Sequence, residues 1–320
     1  MPDEPLCDED PHGHVPVLLE AAIKALNPAP GETMVDCTAG RGGHACALGR
    51  GLRPGGRVVL FDLDEANLDH ASNRLQEEQG IEVVAIGRSF AAVGRELTHR
   101  GLQAQGLLAD LGFASNQMDD SSRGLSLKGD GPLDMRLDRR ISMSAADLVA
   151  RLDEPALREL IRRFGEDPAA ARIARKIVEV RAKEPITQTA HLAQLVREAY
   201  GSRARESRVH PATRTFQALR IAVNDELGAL EALLAEIEVA ARLARSGSPG
   251  WLAPGARLVL ISFHSLEDRM IKQRFARMVE TGLLEDRSRK PVKPSDEEVR
   301  ANPRARSAKL RWAKVGTSGT

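Results

Sequence analysis

Aromatic residues are scarce in this chain of 320 residues, which has seven Phe, two Trp and one Tyr. An extended surface that stacks bases on aromatic rings is therefore excluded. Apolar runs are also short, and none approaches the roughly 20 residues needed to span a bilayer. The first residues are acidic and lack the basic-then-apolar order of a signal peptide. We therefore expect a cytoplasmic protein without a membrane partner.

Cysteine is nearly absent as well. Cys7, Cys37 and Cys46 show no CxxC spacing, and one of them is left over in any disulfide scheme. His12 and His14 have no metal-ligating residues beside them in the sequence. These observations favour a reduced protein that contains no structural metal.

Charge is balanced over the whole chain, with a formal net charge of only +1. Its distribution is uneven, because residues 201–220 have a local balance of +4 and residues 287–314 one of +7. Such basic segments can neutralise the phosphates of a nucleic acid. They can equally be solvated faces, so charge alone leaves an RNA partner open.

Short apolar runs alternate with helical stretches, which predicts an α/β fold with a parallel sheet covered on both faces. The predicted strands are 33–36, 57–62, 81–86, 106–110, 257–263 and an antiparallel candidate at 308–315. The alternation stops after Gly112, and the predicted helices that follow are 144–151, 154–164, 168–182, 189–199 and a long one near 211–240. The sheet is therefore expected to be split by a helical insertion. The predicted divisions are an acidic flexible arm (1–13), a first core part (14–120), an inserted helical domain (121–205) and a second core part with a basic tail (206–320).

A glycine-rich turn, Asp36–His44, follows the first predicted strand. Glycines at this place let the chain turn sharply and let a ligand approach bare backbone, and the next helix presents its N–H groups there. The spacing Gly40-x-Gly42-x-x-Ala45 also matches a dinucleotide fingerprint, and Asp62 lies where a carboxylate would bind ribose hydroxyls. A nicotinamide or flavin enzyme is therefore one interpretation of the turn.

The acids around this turn favour a different ligand. Asp36 directly precedes the glycines and would repel a pyrophosphate, whereas it would attract the ammonium and sulfonium of S-adenosylmethionine. Asp110 ends the fourth strand and adds a carboxylate at the same predicted edge of the sheet. A methyltransferase is thus favoured over a dinucleotide enzyme, and a purely structural turn is the third possibility.

Seven segments extend the case to nearly the whole chain. They are HVPVLLEAAIKAL (14–26), DCTAGRGGH (36–44), GLLADLGFASNQMDD (106–120), DGPLDMRLD (130–138), HPATRTFQALRIAVNDEL (210–227), ISFHSLEDR (261–269) and NPRARSAKLR (302–311). In this order and spacing the sequence resembles the bacterial small-subunit rRNA methyltransferase H family, also called MraW. The resemblance implies a Rossmann-like S-adenosylmethionine methyltransferase sheet with an inserted helical domain. It also implies methylation of the exocyclic N4 of a cytidine in the decoding region of 16S rRNA.

The resemblance further implies a set of cofactor contacts. They are Gly42, Gly43, His44, Asp62, Phe90, Asp110 and Gln117. The family's Ser-Ser-Pro-Gln is here Ala114-Ser115-Asn116-Gln117, which keeps the glutamine and loses the proline. The implied partner is 16S rRNA or the small ribosomal subunit, and the protein would be a monomer or a dimer.

Two residues are candidates for the chemistry. Asp110, with backbone carbonyls at Leu111–Gly112, could accept hydrogen bonds from the target amine. His264, after the fifth strand, could be a proton acceptor, or could lie in a capping turn with Ser265 as the N-cap.

The substrate side offers further candidates. Arg214 and Arg220 on the long helix, and the arginine-rich turn 203–208, could hold RNA phosphates or be surface charges. Asp134-Met135-Arg136 could line a pocket for the flipped cytidine. An RNA-binding assembly factor without turnover is the alternative outside the enzymes.

Overall fold

The computed structural model describes residues 16–77, 80–205 and 210–317. The predicted acidic arm, Cys7, His12, His14, residues 206–208 of the arginine-rich turn and the end of the basic tail lie outside this part of the chain. Within it, no helix combines the length and the apolar character needed to cross a membrane.

The chain divides into two compact units. One contains the described residues up to Gly112 together with those from Leu227 onward, and the other is Phe113–Glu226. The boundaries predicted from strand rhythm, at 121 and 205, lie inside the second unit. They differ because residues 113–120 and 210–226 carry no strand signal and pack with helices of that unit. The functional division into domains stays a prediction.

The first unit is built on a seven-stranded sheet in the order β3-β2-β1-β4-β5-β7-β6. Its strands are β1 (Thr33–Asp36), β2 (Gly56–Phe61), β3 (Ile81–Ile86), β4 (Ala104–Asp110), β5 (Leu252–Ser262), β6 (Leu284–Arg287) and β7 (Lys309–Val315). The first five strands pair in parallel, and β7 is antiparallel to both β5 and β6. Most residues of the central strands are apolar because both faces of the sheet are covered. The predicted α/β, Rossmann-like sheet is confirmed.

Helices cover both faces of this sheet. They are α1 (Leu19–Leu26), α2 (Gly43–Leu52), α3 (Glu65–Glu77), α4 (Val93–His99), α11 (Glu226–Arg245) and α12 (Ser265–Glu280). A further short helix, α13 (Asp296–Ala301), buries none of its residues. One apolar core joins β-strands to α1, α2 and α3, and the other joins them to α4, α11 and α12. Parallel order places the ends of β1, β2, β4 and β5 at one edge, where open α/β sheets bind ligands.

Two features of the sheet differ from prediction. Strand β5 begins at Leu252, not at Arg257, and carries the Pro254-Gly255 pair inside it. Its register against β4 shifts between Ala104 and Gly106, so the extra residues form an irregularity rather than a turn before the strand. Strand β6 was missed because its short sequence, LEDR, alternates poorly.

The second unit is helical. Its helices are α5 (Ser115–Asp119), α6 (Ala145–Arg151), α7 (Glu154–Gly165), α8 (Ala170–Arg181), α9 (Thr189–Tyr200) and α10 (Thr213–Asn224). Asp153 caps α7, accepting a 2.8 Å hydrogen bond from the backbone N–H of Ala156. An apolar core of its own fills this unit.

The prediction of one long helix near 211–240 is wrong, because two helices occupy that stretch. Helix α10 ends at Asn224, and Asp225 adopts a left-handed conformation with φ of +47° before α11 begins. Aspartate is one of the few residue types that tolerate this conformation. The break falls where the chain leaves the helical unit.

Candidate active site

The glycine turn connects β1 to α2 in a conformation that only glycine allows. Gly42 caps α2 with φ of +81°, and a Cβ on it would lie 3.0 Å from the Cα of Ala71. A Cβ on Gly43 would lie 2.3 Å from Cγ of Pro16. The turn therefore packs against α3 and the segment before α1, and its position is fixed.

Asp62 fastens this turn. Its Oδ2 accepts a 2.8 Å hydrogen bond from the backbone N–H of Gly40, and its Oδ1 accepts one of 2.8 Å from Asp64. The predicted ribose contact is compatible with these bonds, because each carboxylate oxygen has a second lone pair. The side chain that would hold the ligand also shapes the loop.

Thr38 joins the ends of β1 and β4, and sequence reasoning missed it. Its backbone N–H donates to Oδ1 of Asp36 at 3.0 Å. Its hydroxyl accepts a 2.7 Å hydrogen bond from the backbone N–H of Asp110. The signal in the sequence that could have identified Thr38 is a hydroxyl residue two positions after a strand-terminal aspartate. Local hydrogen bonds between side chain and backbone are common in this pattern.

Burial dominates the electrostatics of the three aspartates. It raises the pKa of Asp36 from 3.8 to about 7, against the lowering effect of the Thr38 hydrogen bonds. It also raises the pKa of Asp62, which the backbone N–H groups of Asp64 and Gly40 partly oppose. The pKa of Asp110 lies well above 3.8 because of burial first, and then because of the charges of Asp36 and Glu267.

One carboxylate oxygen of Asp110 lacks a hydrogen-bond partner among the described residues. Its Oδ1 is shielded from solvent and has no hydrogen-bond partner among the described residues, although the side chain as a whole is 24% exposed. Its Oδ2 lies 3.9 Å from Nδ1 of His44. The other ring nitrogen of His44 lies 3.0 Å from the carbonyl oxygen of Val17, which orients the ring.

This arrangement suits a cationic ligand. Neighbouring acids with raised pKa values are each stabilised if a positive charge enters, and an unpaired carboxyl oxygen offers a place to receive it. A pyrophosphate would instead add negative charge beside Asp36 and Asp110. The chemistry of the donor set therefore fits the ammonium and sulfonium of S-adenosylmethionine and opposes the dinucleotide interpretation.

Phe90 and Gln117 occupy different units. Phe90 lies just after β3, half-buried against the core that includes α4. Gln117 is buried in the helical unit, where its Oε1 accepts a 3.0 Å hydrogen bond from the backbone N–H of Ala114. A cofactor contact by either residue stays a prediction from the resemblance.

His264 is the N-cap of α12, a position that the sequence had assigned to Ser265. Its Nδ1 accepts from the backbone N–H of Glu267 at 3.4 Å, and Oε2 of Glu267 accepts from the backbone N–H of His264 at 3.2 Å. Nε2 of His264 lies 3.2 Å from Oε1 of Glu267 without hydrogen-bond alignment. The histidine thus closes a capping box and positions the first turn of α12.

The substrate-side candidates are held within the helical unit. Arg220 pairs with both carboxylate oxygens of Glu226, at 2.7 and 2.8 Å, and its guanidinium lies 4.8 Å from the ring centre of Phe113. Arg214 is exposed and donates to the carbonyl of Glu166 at 3.0 Å. Arg203 and Arg205 lie in a 3₁₀ turn. An RNA contact by any of these stays a prediction.

The Asp134–Arg136 segment forms a rigid loop. Arg136 binds the Asp134 carboxylate through two guanidinium nitrogens, at 2.8 and 2.7 Å. Met135 between them is buried and left-handed, with φ of +65°. Asn224 donates to the carbonyl of Met135 at 2.8 Å and so ties the loop to α10. A role of this hydrogen-bonded loop as a pocket wall stays a prediction.

The chain is similar to proteins known from bacteria. The family model described as the MraW methylase family matches residues 11–315. Ribosomal RNA small subunit methyltransferase H of Symbiobacterium thermophilum is 44% identical over 314 residues, covering 93% of this chain and 95% of the relative. The protein of the same name from Acidobacterium capsulatum is 45% identical over 305 residues, covering 94% and 97%.

Solved structures resemble the chain more distantly. An rRNA methylase from Streptococcus thermophilus aligns with a TM-score of 0.40 and 10% identity, covering 95% of this chain and 98% of that one. A SAM-dependent methyltransferase from Aquifex aeolicus also gives 0.40 and 10%, covering 96% and 94%. At these values neither likeness supports a conclusion about this chain.

The family match agrees with the site. It confirms the methyltransferase and the S-adenosylmethionine cofactor predicted from Asp36, Asp62 and Asp110. The match covers both units of the structure. This chain belongs to the MraW methylase family.

Proposed function

We propose that this enzyme transfers a methyl group from S-adenosylmethionine to the exocyclic N4 of a cytidine in the decoding region of 16S rRNA. The observation that carries the proposal is the group of three aspartates with raised pKa values at the carboxyl edge of the sheet, with Asp110 Oδ1 unpaired. The names of the relatives support the small-subunit rRNA as the partner. The resemblance described above supports the cytidine nitrogen.

The cofactor would rest on the glycine turn. Gly42, Gly43 and His44 would contact it at the N-terminus of α2, Asp62 would accept from its ribose hydroxyls, and Phe90 would pack on its adenine. Asp110 and Gln117 complete the predicted contacts. Asp36, at the end of β1, supplies negative charge that favours its cationic groups.

The target nitrogen needs help because its lone pair is delocalised into the cytosine ring. The bound cofactor supplies an electrophilic methyl group on sulfur. Asp110 and the backbone carbonyls of Leu111–Gly112 accept hydrogen bonds from the amine and favour a more tetrahedral nitrogen. As the N–C bond forms and the S–C bond breaks, the nitrogen gives up one proton, and Asp110 is the acceptor that we assign. Orientation of the amine supplies most of the rate.

Two alternatives lead to different measurements. A nicotinamide oxidoreductase would bind NAD in preference to S-adenosylmethionine, which the acids of the site oppose. An RNA-binding assembly factor would bind rRNA and leave it unmethylated. Titration with labelled S-adenosylmethionine and with NAD separates the first alternative, and turnover separates the second.

The proposal is tested with cells that have or lack the gene. Mass spectrometry of nucleosides from their 16S rRNA should show an N4-methylated cytidine that disappears with the gene and returns with the wild-type copy. An Asp110→Asn copy should restore less of it. An unchanged cytidine pattern after deletion would refute the assignment.

A further inference from the structure

A cluster of basic side chains lies on α4, outside the predicted cofactor contacts. Arg88 follows β3, and Arg95, Glu96, His99 and Arg100 lie on α4 or directly after it. These five residues line an open cavity of about 520 Å³ on the surface of the sheet unit. Three guanidinium groups thus surround a single carboxylate.

Glu96 forms ion pairs with the three arginines and neutralises only part of their charge. Its Oε2 lies 2.5 Å from a guanidinium nitrogen of Arg100, and its Oε1 lies 3.2 Å from Arg88 and 3.8 Å from Arg95. The hydrogen bond from Arg100 lowers the pKa of Glu96, so this carboxylate stays ionised. One negative charge against three guanidinium groups leaves a surplus of positive charge at neutral pH.

The surplus charge is accessible. The side chain of Arg88 is 60% exposed, that of Arg95 69% and that of Arg100 36%, whereas that of Glu96 is 11% exposed. The acid therefore lies beneath the arginines, whose outer N–H groups face solvent. Planar guanidinium groups bind phosphate oxygens with paired hydrogen bonds.

The shape and the lining of the cavity favour a phosphate polymer over a free nucleotide. The cavity is open, and its lining has no aliphatic side chain and a single aromatic ring, that of exposed His99, to hold a base. A free nucleotide would therefore be held mainly by charge, whereas a polymer backbone could cross the cavity and be held at other points as well. Arg88 lies only two residues before Phe90, at the edge of the sheet where the cofactor is proposed to bind.

We propose that Arg88, Arg95 and Arg100 form a docking site for backbone phosphates of the RNA substrate. This proposal rests on the proposed function, because the polymer that it places on α4 is the RNA substrate assigned there. The contacts fix where the RNA lies and carry no base recognition. Binding through them releases counterions, so it weakens steeply with salt.

The test uses the full chain with Arg88→Gln and Arg95→Gln combined. Arg100 is kept, so Glu96 retains its shortest partner and α4 should remain folded. The matched control is Arg242→Gln, an exposed arginine of the same unit that pairs with Glu238 at 3.4 Å. Affinity is measured over a range of salt for protein-free 16S rRNA and for the assembled small subunit, together with KM, kcat and affinity for S-adenosylmethionine.

We expect the double variant to bind both RNA forms about three- to tenfold more weakly at low salt, with a salt slope shallower by about 1 to 2. KM for the RNA should rise accordingly, while kcat and cofactor affinity stay at wild-type values. An unchanged slope, or an equal loss in Arg242→Gln, would overturn the proposal. A loss confined to the assembled subunit would overturn it too, by assigning the site to an acidic protein surface. A wild-type chain that binds RNA through these arginines but never methylates it would refute the proposed function alone.

Discussion

The hydroxyl of Thr38 accepts a hydrogen bond from the backbone N–H of Asp110, with 2.7 Å between the two atoms. This bond joins the turn after β1 to the end of β4, at the edge of the sheet where Asp36, Asp62 and Asp110 lie. The N–H of Thr38 also binds the Asp36 carboxylate at 3.0 Å. The hydroxyl also donates to the same Asp36 oxygen at 3.4 Å, so the side chain of Thr38 contacts both residues that we assign to the cofactor and the amine.

Replacing Thr38 by valine should weaken both roles. Thr38→Val leaves the N–H of Asp110 without its acceptor, which costs about 1 to 3 kcal/mol of unfolding free energy. Turnover and affinity for S-adenosylmethionine should both fall, and Thr38→Ser should restore them. Urea unfolding and methyl-transfer kinetics measure the two effects.

The matched control is Thr33→Val, at the opposite end of β1. Its hydroxyl lies 3.5 Å from a guanidinium nitrogen of Arg57 and does not touch the carboxylates described above. If Thr38→Val and Thr33→Val reduce turnover equally, the effect of Thr38 is on the sheet and not on the site.

The affinity for S-adenosylmethionine should depend on pH through Asp36. Its pKa of about 7 in the free protein lies above the usual 3.8, so below pH 7 it holds a proton that a cationic ligand must displace. Affinity should therefore rise with pH toward 7 and flatten above it, with proton release on binding. Calorimetry in buffers of different ionisation enthalpy measures that release. Asp36→Asn should reduce the release and bind more weakly at pH 8, whereas the exposed control Asp286→Asn should behave as wild type.

Asp110 should act in the chemical step. Asp110→Asn keeps the shape of the side chain and removes its capacity to take a proton, so single-turnover methyl transfer should slow by about 100-fold. Cofactor affinity is measured separately, because the residue also faces the proposed cofactor. Unchanged turnover would remove Asp110 from the chemistry, and a loss confined to affinity would make it a cofactor ligand only.

His264 should act through its helix cap. Asparagine is a favoured N-cap, so His264→Asn should keep the unfolding free energy and most of the turnover, while His264→Ala should lose about 1 kcal/mol. The predicted role as a proton acceptor requires a different result. In that case His264→Asn would fold like wild type and lose turnover by a large factor, with a changed pH profile.

The elements of the sheet could be predicted because their signals are local. The runs at 33–36 and 81–86 are apolar and short, and turn residues bound them, so the strands there match their predicted ends. Asp62 and Asp110 could be placed at one edge because parallel strands end together. The break at Asp225 could not be predicted, since both sides of it have helical patterns and only packing decides where one helix stops.

The residues of the site could be predicted from the sequence, but the hydrogen bonds between them could not. Asp36 and Asp110 follow from their places at strand ends, but the unpaired Oδ1 of Asp110 depends on side chains distant in sequence. The role of Thr38 required the register between β1 and β4. His264 was predicted as a proton acceptor or as part of a capping turn with Ser265 as the N-cap, and the distances to Glu267 show that His264 itself is the cap.

The central claim is the transfer of a methyl group to a cytidine amine of small-subunit rRNA. In the most direct measurement, the purified chain is incubated with isotopically labelled S-adenosylmethionine and with small subunits from cells that lack the gene. The labelled nucleosides are then identified by mass spectrometry. We predict the label in N4-methylated cytidine, confined to the decoding region. Label in another nucleoside, or no label in rRNA although the cofactor binds, would contradict the account.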